Sequence, residues 1–156
     1  MHSEIKPAWP IAVKTKCRGP RCELRVDVGE HGKTLTIIDV DKYSEITKYK
    51  ASKCDYLIFL TNDKIVAAAV ELKSGNFHGN QVLNQLQSGA QQISGLSDTF
   101  KFNVEKFLPI LLHGSIRHAS ELKILRQKKV SFKGKQHSVI RERCGSKLSN
   151  ILDKSP

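Results

Sequence analysis

Between Cys54 and Ser74 the chain reads CDYLIFLTNDKIVAAAVELKS, two apolar runs, Tyr56 to Leu60 and Ile65 to Val70, joined by Thr61-Asn62-Asp63-Lys64. Short apolar runs on either side of a polar Asn-Asp turn predict a β-hairpin with buried strands. Its charged residues stand at the open end. Asp55 opens the first strand, while Glu71 and Lys73 close the second, two residues apart and therefore on one face. With the hairpin centred on Asp63, Asp55 falls directly across from Glu71. Two carboxylates and an ammonium then converge on otherwise apolar strands, where charge is costly unless a cation or a partner offsets it.

The chain of 156 residues is expected to form a single domain over residues 1–156, large enough for a core without staples. A hydrophobic fraction of 39% with 26% charged residues is that of a globular protein rather than a disordered one. No run approaches the roughly 18 apolar residues of a membrane span. The N-terminal MHSEIKPAWPIAVKTK lacks the pattern of a secretory signal, so the expected location is cytoplasmic, with no membrane partner. Cys17, Cys22, Cys54 and Cys144 form no paired CxxC spacing and are expected to be free thiols. The competing reading gives Cys17, Cys22 and Cys144 to a zinc ion with a histidine, at a spacing unlike the usual knuckle.

A formal net charge of +11 points to nucleic acid as the partner. The surplus is uneven. Residues 123–148 form a basic C-terminal segment in which Lys123, Arg126, Lys128, Lys129, Lys133, Lys135, Arg141, Arg143 and Lys147 stand against Glu142 alone. Lys128, Lys129, Lys133, Lys135, Arg141 and Arg143 are the candidates for tracking a phosphate backbone. Three tyrosines and one tryptophan offer little for a single-strand stacking platform, which favours backbone contact with double-stranded DNA.

Residues 1–22, with Pro7, Pro10, Pro20 and Gly19, read as an irregular N-terminal segment anchored by Trp9. Glu23 to Val28 alternates like a half-buried strand, and with Thr34 to Val40 it forms a second hairpin candidate about Glu30-His31-Gly32-Lys33. Asp41 to Ser52 is a loop or short helix. Val82, Leu83, Leu86, Ala90 and Ile93 fall on one helical stripe, with Asn80 as N-cap and Gly95 as stop. Phe107 to Leu112 is a buried strand that Pro109 assigns to an edge or a strand start. Residues 117 to 127 form a second helix. Lys129 to Phe132 and Gln136 to Ile140 form a late basic hairpin. The fold class is α/β, a mixed central β-sheet flanked by helices.

Asp55, followed sixteen residues on by Glu71-Leu72-Lys73 at the ends of adjacent strands with a helix after them, resembles the PD-(D/E)XK nuclease superfamily. The resemblance covers roughly residues 35 to 113, and Lys53-Cys54-Asp55 stands where that family carries Pro-Asp. It implies a restriction-endonuclease-like core and a divalent-metal-dependent nuclease, with Asp55 and Glu71 as ligands to Mg²⁺ or Mn²⁺. The Leu72 carbonyl would be the third ligand and Lys73 the catalytic lysine.

The chemistry fits on its own terms. Hard oxygen ligands suit Mg²⁺ or Mn²⁺, and a lysine beside them can orient or deprotonate the attacking water. The competing accounts are a salt bridge at a strand end without metal, and a catalytically inactive nucleic-acid-binding protein of the same fold. Relatives also place a glutamine near the site on the following helix, a role that falls to Gln85. A supporting N-terminal glutamate could be Glu4, Glu23 or Glu45. Ser74, His78 and His113 carry weaker functional readings than structural ones. Two cuts across a duplex need two sites, which a homodimer would supply.

Overall fold

The computed structural model describes residues 13–14, 16–27, 34–42, 52–114 and 119–155. Trp9, Glu4, Glu45 and the Glu30–Lys33 turn lie outside these residues. The elements run β1 (Val13–Lys14), β2 (Cys17–Gly19), β3 (Cys22–Leu24), β4 (Thr34–Asp39), β5 (Tyr56–Thr61) and β6 (Ile65–Lys73). They continue with α1 (Gly79–Phe100), β7 (Val104–His113), α2 (Ala119–Gln127), β8 (Lys129–Phe132), β9 (Lys135–Ser138), β10 (Ile140–Arg143) and α3 (Leu148–Lys154).

The central sheet has the order β1-β4-β5-β6-β7-β10. It is mixed. The β1/β4, β4/β5 and β5/β6 ladders are antiparallel, and the β6/β7 and β7/β10 ladders are parallel. The β5–β6 hairpin pairs Tyr56 with Val70 and Thr61 with Ile65, the register that centres it on Asp63. Its strands read as unbroken apolar runs because both faces are covered. Leu57, Phe59, Ala67 and Ala69 pack with Val82, Leu86, Ala90 and Ile93 of α1. Ile58, Leu60, Ala68 and Val70 pack on the other face with Leu24, Leu148 and Ile151. Parallel neighbours joined through a helix require this double cover.

Several sequence expectations are corrected. Residues 1–22 are not wholly irregular, since β1 and β2 fall within them. β3 pairs not with β4 but with β2, Cys17 opposite Leu24, about a Pro20-Arg21 turn in which Arg21 adopts φ 59°. Turn prolines are compatible with flanking strands, and it was the prolines with Gly19 that made the segment read as irregular. Pro109 sits inside β7, opposite Ala69. β10 joins β7 only from Ile110 onward, so at Pro109 the strand is paired on one side, where a missing N–H is tolerated.

The α1 helix starts with His78 at the N-cap rather than Asn80, and Asn80 Oδ1 instead accepts from Lys128 Nζ. Nor does α1 stop at Gly95. That residue faces open space, Leu96 and Ser97 continue the buried stripe, and Lys101 in the left-handed conformation ends the helix. The late hairpin is β8–β9, while Ile140 begins β10. The strand β10 and the helix α3 had no counterpart in the expected elements.

The cysteine expectation is corrected as well. Cys22 and Cys144 form a disulfide across a sequence separation of 122, leaving Cys17 and Cys54 as free, buried thiols. With Cys22 and Cys144 bonded to each other, the zinc set of Cys17, Cys22 and Cys144 does not exist. Spacing in sequence could not show a pairing that only the sheet brings together.

Candidate metal and catalytic site

Asp55 lies at the point where β5 begins, and the backbone holds it from both sides. Its N–H donates to the Val70 carbonyl at 2.9 Å and its carbonyl accepts from Val40 N–H at 3.1 Å. The side chain turns toward β6, where Oδ2 accepts the Leu72 N–H at 2.7 Å. Asp55 therefore completes the end of β6 beyond the last paired residue of β5.

Glu71 and Lys73 share the face of β6 that packs against α1, since Ala67 and Ala69 point that way and alternate residues follow. Leu72 points to the other face, its Cδ1 lying 3.5 Å from where a Cβ on Gly19 would stand. Glu71 is only 2% exposed. Its Oε2 pairs with Lys73 Nζ at 2.8 Å, its Oε1 is buried, and the Asp55 carboxyl lies within hydrogen-bonding reach, so the two carboxyls can share a proton. Burial, then the nearby Asp55 charge, pushes the Glu71 carboxyl up to about 8, against the opposing pull of Lys73. Burial likewise raises Asp55 above its ordinary value, although the Leu72 N–H, Glu71 and Lys73 act in the other direction. Two carboxyls beside one ammonium leave a buried site short of positive charge.

This shortage is what a hard cation would supply. Oxygen donors from Asp55 and Glu71 suit Mg²⁺ or Mn²⁺, which retain waters and accept an incomplete protein ligand set. Among the described residues no group of three or more His, Cys, Asp or Glu side chains gathers, so any further ligands would be a backbone carbonyl or water. The free thiols take no part. Burial first, then Glu71 and Asp55, raises the Cys54 thiol, while burial and Asp55 raise Cys17. Thiols held protonated in this way are inert.

No protein-family model, curated protein or solved structure matches this chain.

The remaining candidates separate by position. In the parallel ladders Lys73 pairs with His113 of β7, and His113 with Arg143 of β10. Side chains in register on parallel strands share a face, so Lys73, His113 and Arg143 form a row, with Lys73 and Arg143 two strand spacings or roughly 10 Å apart. Arg141 lies in the row of Glu71, opposite Leu111. His113 is buried, its Nδ1 2.8 Å from the Gly114 carbonyl and its ring 6.2 Å from Phe77. The sequence reading set His113 aside, and only the register of a parallel strand brings it beside Lys73.

Lys128 bonds Asn80 at the start of α1 and so lies toward the site end, with Lys129 next to it at the start of β8. Lys133 does not. Its Nζ donates to Ser97 Oγ, eighteen residues or about 27 Å along α1 from Gly79, and Lys135 follows it across the β8–β9 turn. The basic segment is thus divided between the two ends of the sheet.

Gln85 lies on α1 one turn before Gly89, which packs against Ala69. Its Oε1 is buried without a partner. Exposed His78 lies 3.9 Å from Glu121, and Ser74 is exposed just beyond β6. Glu23 lies on β3, opposite Arg18.

Proposed function

We propose that the protein is a divalent-metal-dependent nuclease of the PD-(D/E)XK type acting on DNA, with a restriction-endonuclease-like core. One observation carries the reading: the buried Glu71 carboxyl, paired through one oxygen to Lys73, set against the Asp55 carboxyl at the end of adjacent strands. A strand-end salt bridge between Glu71 and Lys73 does not by itself call for the half-buried Asp55 carboxylate beside it, since each added charge drawn out of water costs stability.

In this reading Asp55 and Glu71 would hold Mg²⁺ or Mn²⁺, with the Leu72 carbonyl as a third ligand, and the metal would supply charge neutralisation and a more acidic bound water. Lys73 orients the attacking water and offsets charge that develops on the phosphate. Glu71 fixes the Lys73 ammonium through the 2.8 Å pair, and Leu72 N–H fixes Asp55. Arg143, Arg141, Lys128 and Lys129 lie toward the site end and are placed to meet backbone phosphates. A homodimer would bring the second site that a double-strand cut needs. No described helix is long and apolar enough to cross a membrane, and since reducing compartments disfavour a bond such as Cys22–Cys144, the cytoplasmic placement rests on the DNA substrate alone.

The test is cleavage of plasmid, single-stranded DNA and RNA in Mg²⁺ and in Mn²⁺, with and without chelator. Metal-dependent cleavage of DNA is expected. Absence of cleavage by the wild-type protein under either metal would leave the catalytically inactive binding protein as the surviving account.

A further inference from the structure

The β2–β3 hairpin lies outside the sequence motif, yet it is fastened to the site from three directions. Tyr56, the neighbour of Asp55, donates its hydroxyl to the Arg18 carbonyl at 2.9 Å. Leu72, between Glu71 and Lys73, packs against Gly19. Cys22 is joined to Cys144, which follows Arg143 directly, and Gly145 N–H donates to the Glu23 carbonyl at 2.7 Å. The hairpin and the turn after β10 together enclose an open cavity of about 300 Å³ lined by Arg18, Arg21, Glu23 and Gly145, with the disulfide in its wall.

Arg18 and Arg21 are exposed, and among the described residues neither is ion-paired, although Arg18 stands opposite Glu23 in the ladder. Two unpaired guanidinium groups held at the end of a disulfide-anchored hairpin form a recognition element for phosphate oxygens, which arginine's planar fork matches in pairs. The hairpin covers the sheet face opposite Glu71, Lys73 and His113 but the same strand end, so a strand held by Arg18 and Arg21 would pass around that end toward the carboxylates.

We propose that the β2–β3 hairpin is a phosphate-binding arm that grips the nucleic-acid backbone beside the site through Arg18 and Arg21. This rests on the nuclease reading for its ligand, but it concerns binding rather than cleavage. It also corrects the weight given to charge in the sequence, since Arg18 and Arg21 lie outside the basic C-terminal segment.

The test is equilibrium binding of a fluorescent DNA duplex in chelator, where metal-dependent cleavage is silent, measured across a salt series. The Arg18→Gln/Arg21→Gln double variant is compared with wild type and with Lys133→Gln/Lys135→Gln, whose lysines lie at the far end of α1. Losing two phosphate contacts reduces the slope of log affinity against log salt by about 1.8, and the lysine variant keeps the wild-type slope. Wild-type binding with an unchanged slope in the arginine variant, or an equal loss in the lysine variant, overturns the arm and leaves the nuclease reading standing. Absence of duplex binding by the wild type overturns both.

Discussion

Glu71 and Lys73, two residues apart on β6, meet in a 2.8 Å ion pair that engages only one Glu71 oxygen. The second oxygen is buried, and the Asp55 carboxyl lies within hydrogen-bonding reach of Glu71, so the two carboxyls compete for one proton. Setting a second carboxyl against a buried glutamate costs stability, because like charges brought together out of water repel. That cost persists in a fold when the position has another use.

The first consequence is a dependence of stability on pH. Glu71 is raised to about 8 in the folded chain, from an ordinary 4.5, by burial and by Asp55. Between these values the folded state binds more protons at Glu71 than the unfolded state does, so the stability that this group contributes is fully present below about 4.5 and is lost as pH rises toward 8. Asp55, also raised, adds to the same trend. Melting temperature in metal-free buffer should decline from pH 5 to 8. The Glu71→Gln protein, with no such proton to lose, should show a flatter profile.

Asp55 has a structural task that can be separated from its charge. Asp55→Asn keeps an oxygen for the Leu72 N–H, so denaturation should find it near wild type in stability, while metal-dependent cleavage falls at least about 100-fold. Asp55→Ala leaves that N–H unmet and should cost about 1–3 kcal/mol as well. Equal stability of the two variants would refute the capping role.

The seating of α1 on the sheet depends on Gly89. A Cβ there would lie 2.6 Å from Ala69 Cβ and 2.8 Å from Cys54 Sγ, both buried atoms with no room to retreat. Gly89→Ala should destabilise the protein by about 1–3 kcal/mol in denaturant unfolding, despite alanine's higher helix propensity. Gly95→Ala, facing open space, should be neutral or stabilising.

Closing a loop over 122 residues, the Cys22–Cys144 bond restricts the unfolded chain strongly. Reductant, or the Cys22→Ser/Cys144→Ser pair, should lower unfolding stability by roughly 2–5 kcal/mol. Cys17 and Cys54, buried and held protonated, should resist thiol labelling until the protein unfolds.

The hairpin from Tyr56 to Lys73 was legible because period, turn and charge placement agreed, and its register follows from the Asn62-Asp63 turn. The convergence of Asp55 with Glu71 follows from that register alone. The stripe of α1 was legible too, but its ends were not. Capping by His78 and Lys101 uses backbone geometry that leaves no side-chain signature. β10 escaped because Ile140–Arg143 is short and charged, and it becomes a strand only against the open side of β7. The disulfide and the place of His113 were hidden for one shared reason: each depends on partners brought together across long stretches of chain. Charge was legible as an amount but not as a position, since Lys133 and Lys135 lie far from Lys73 while Arg18 and Arg21 stand on the hairpin that packs on Leu72 from the opposite face.

The central claim is that Asp55 and Glu71 hold a divalent cation, and calorimetric titration with Mn²⁺ tests it most directly. The prediction is one site per chain, taken up near pH 7 with release of a proton from the carboxyl pair, and weakened at least about 100-fold in Glu71→Gln. A wild-type protein that binds no Mn²⁺, or a Glu71→Gln protein that binds it equally well, would contradict the account.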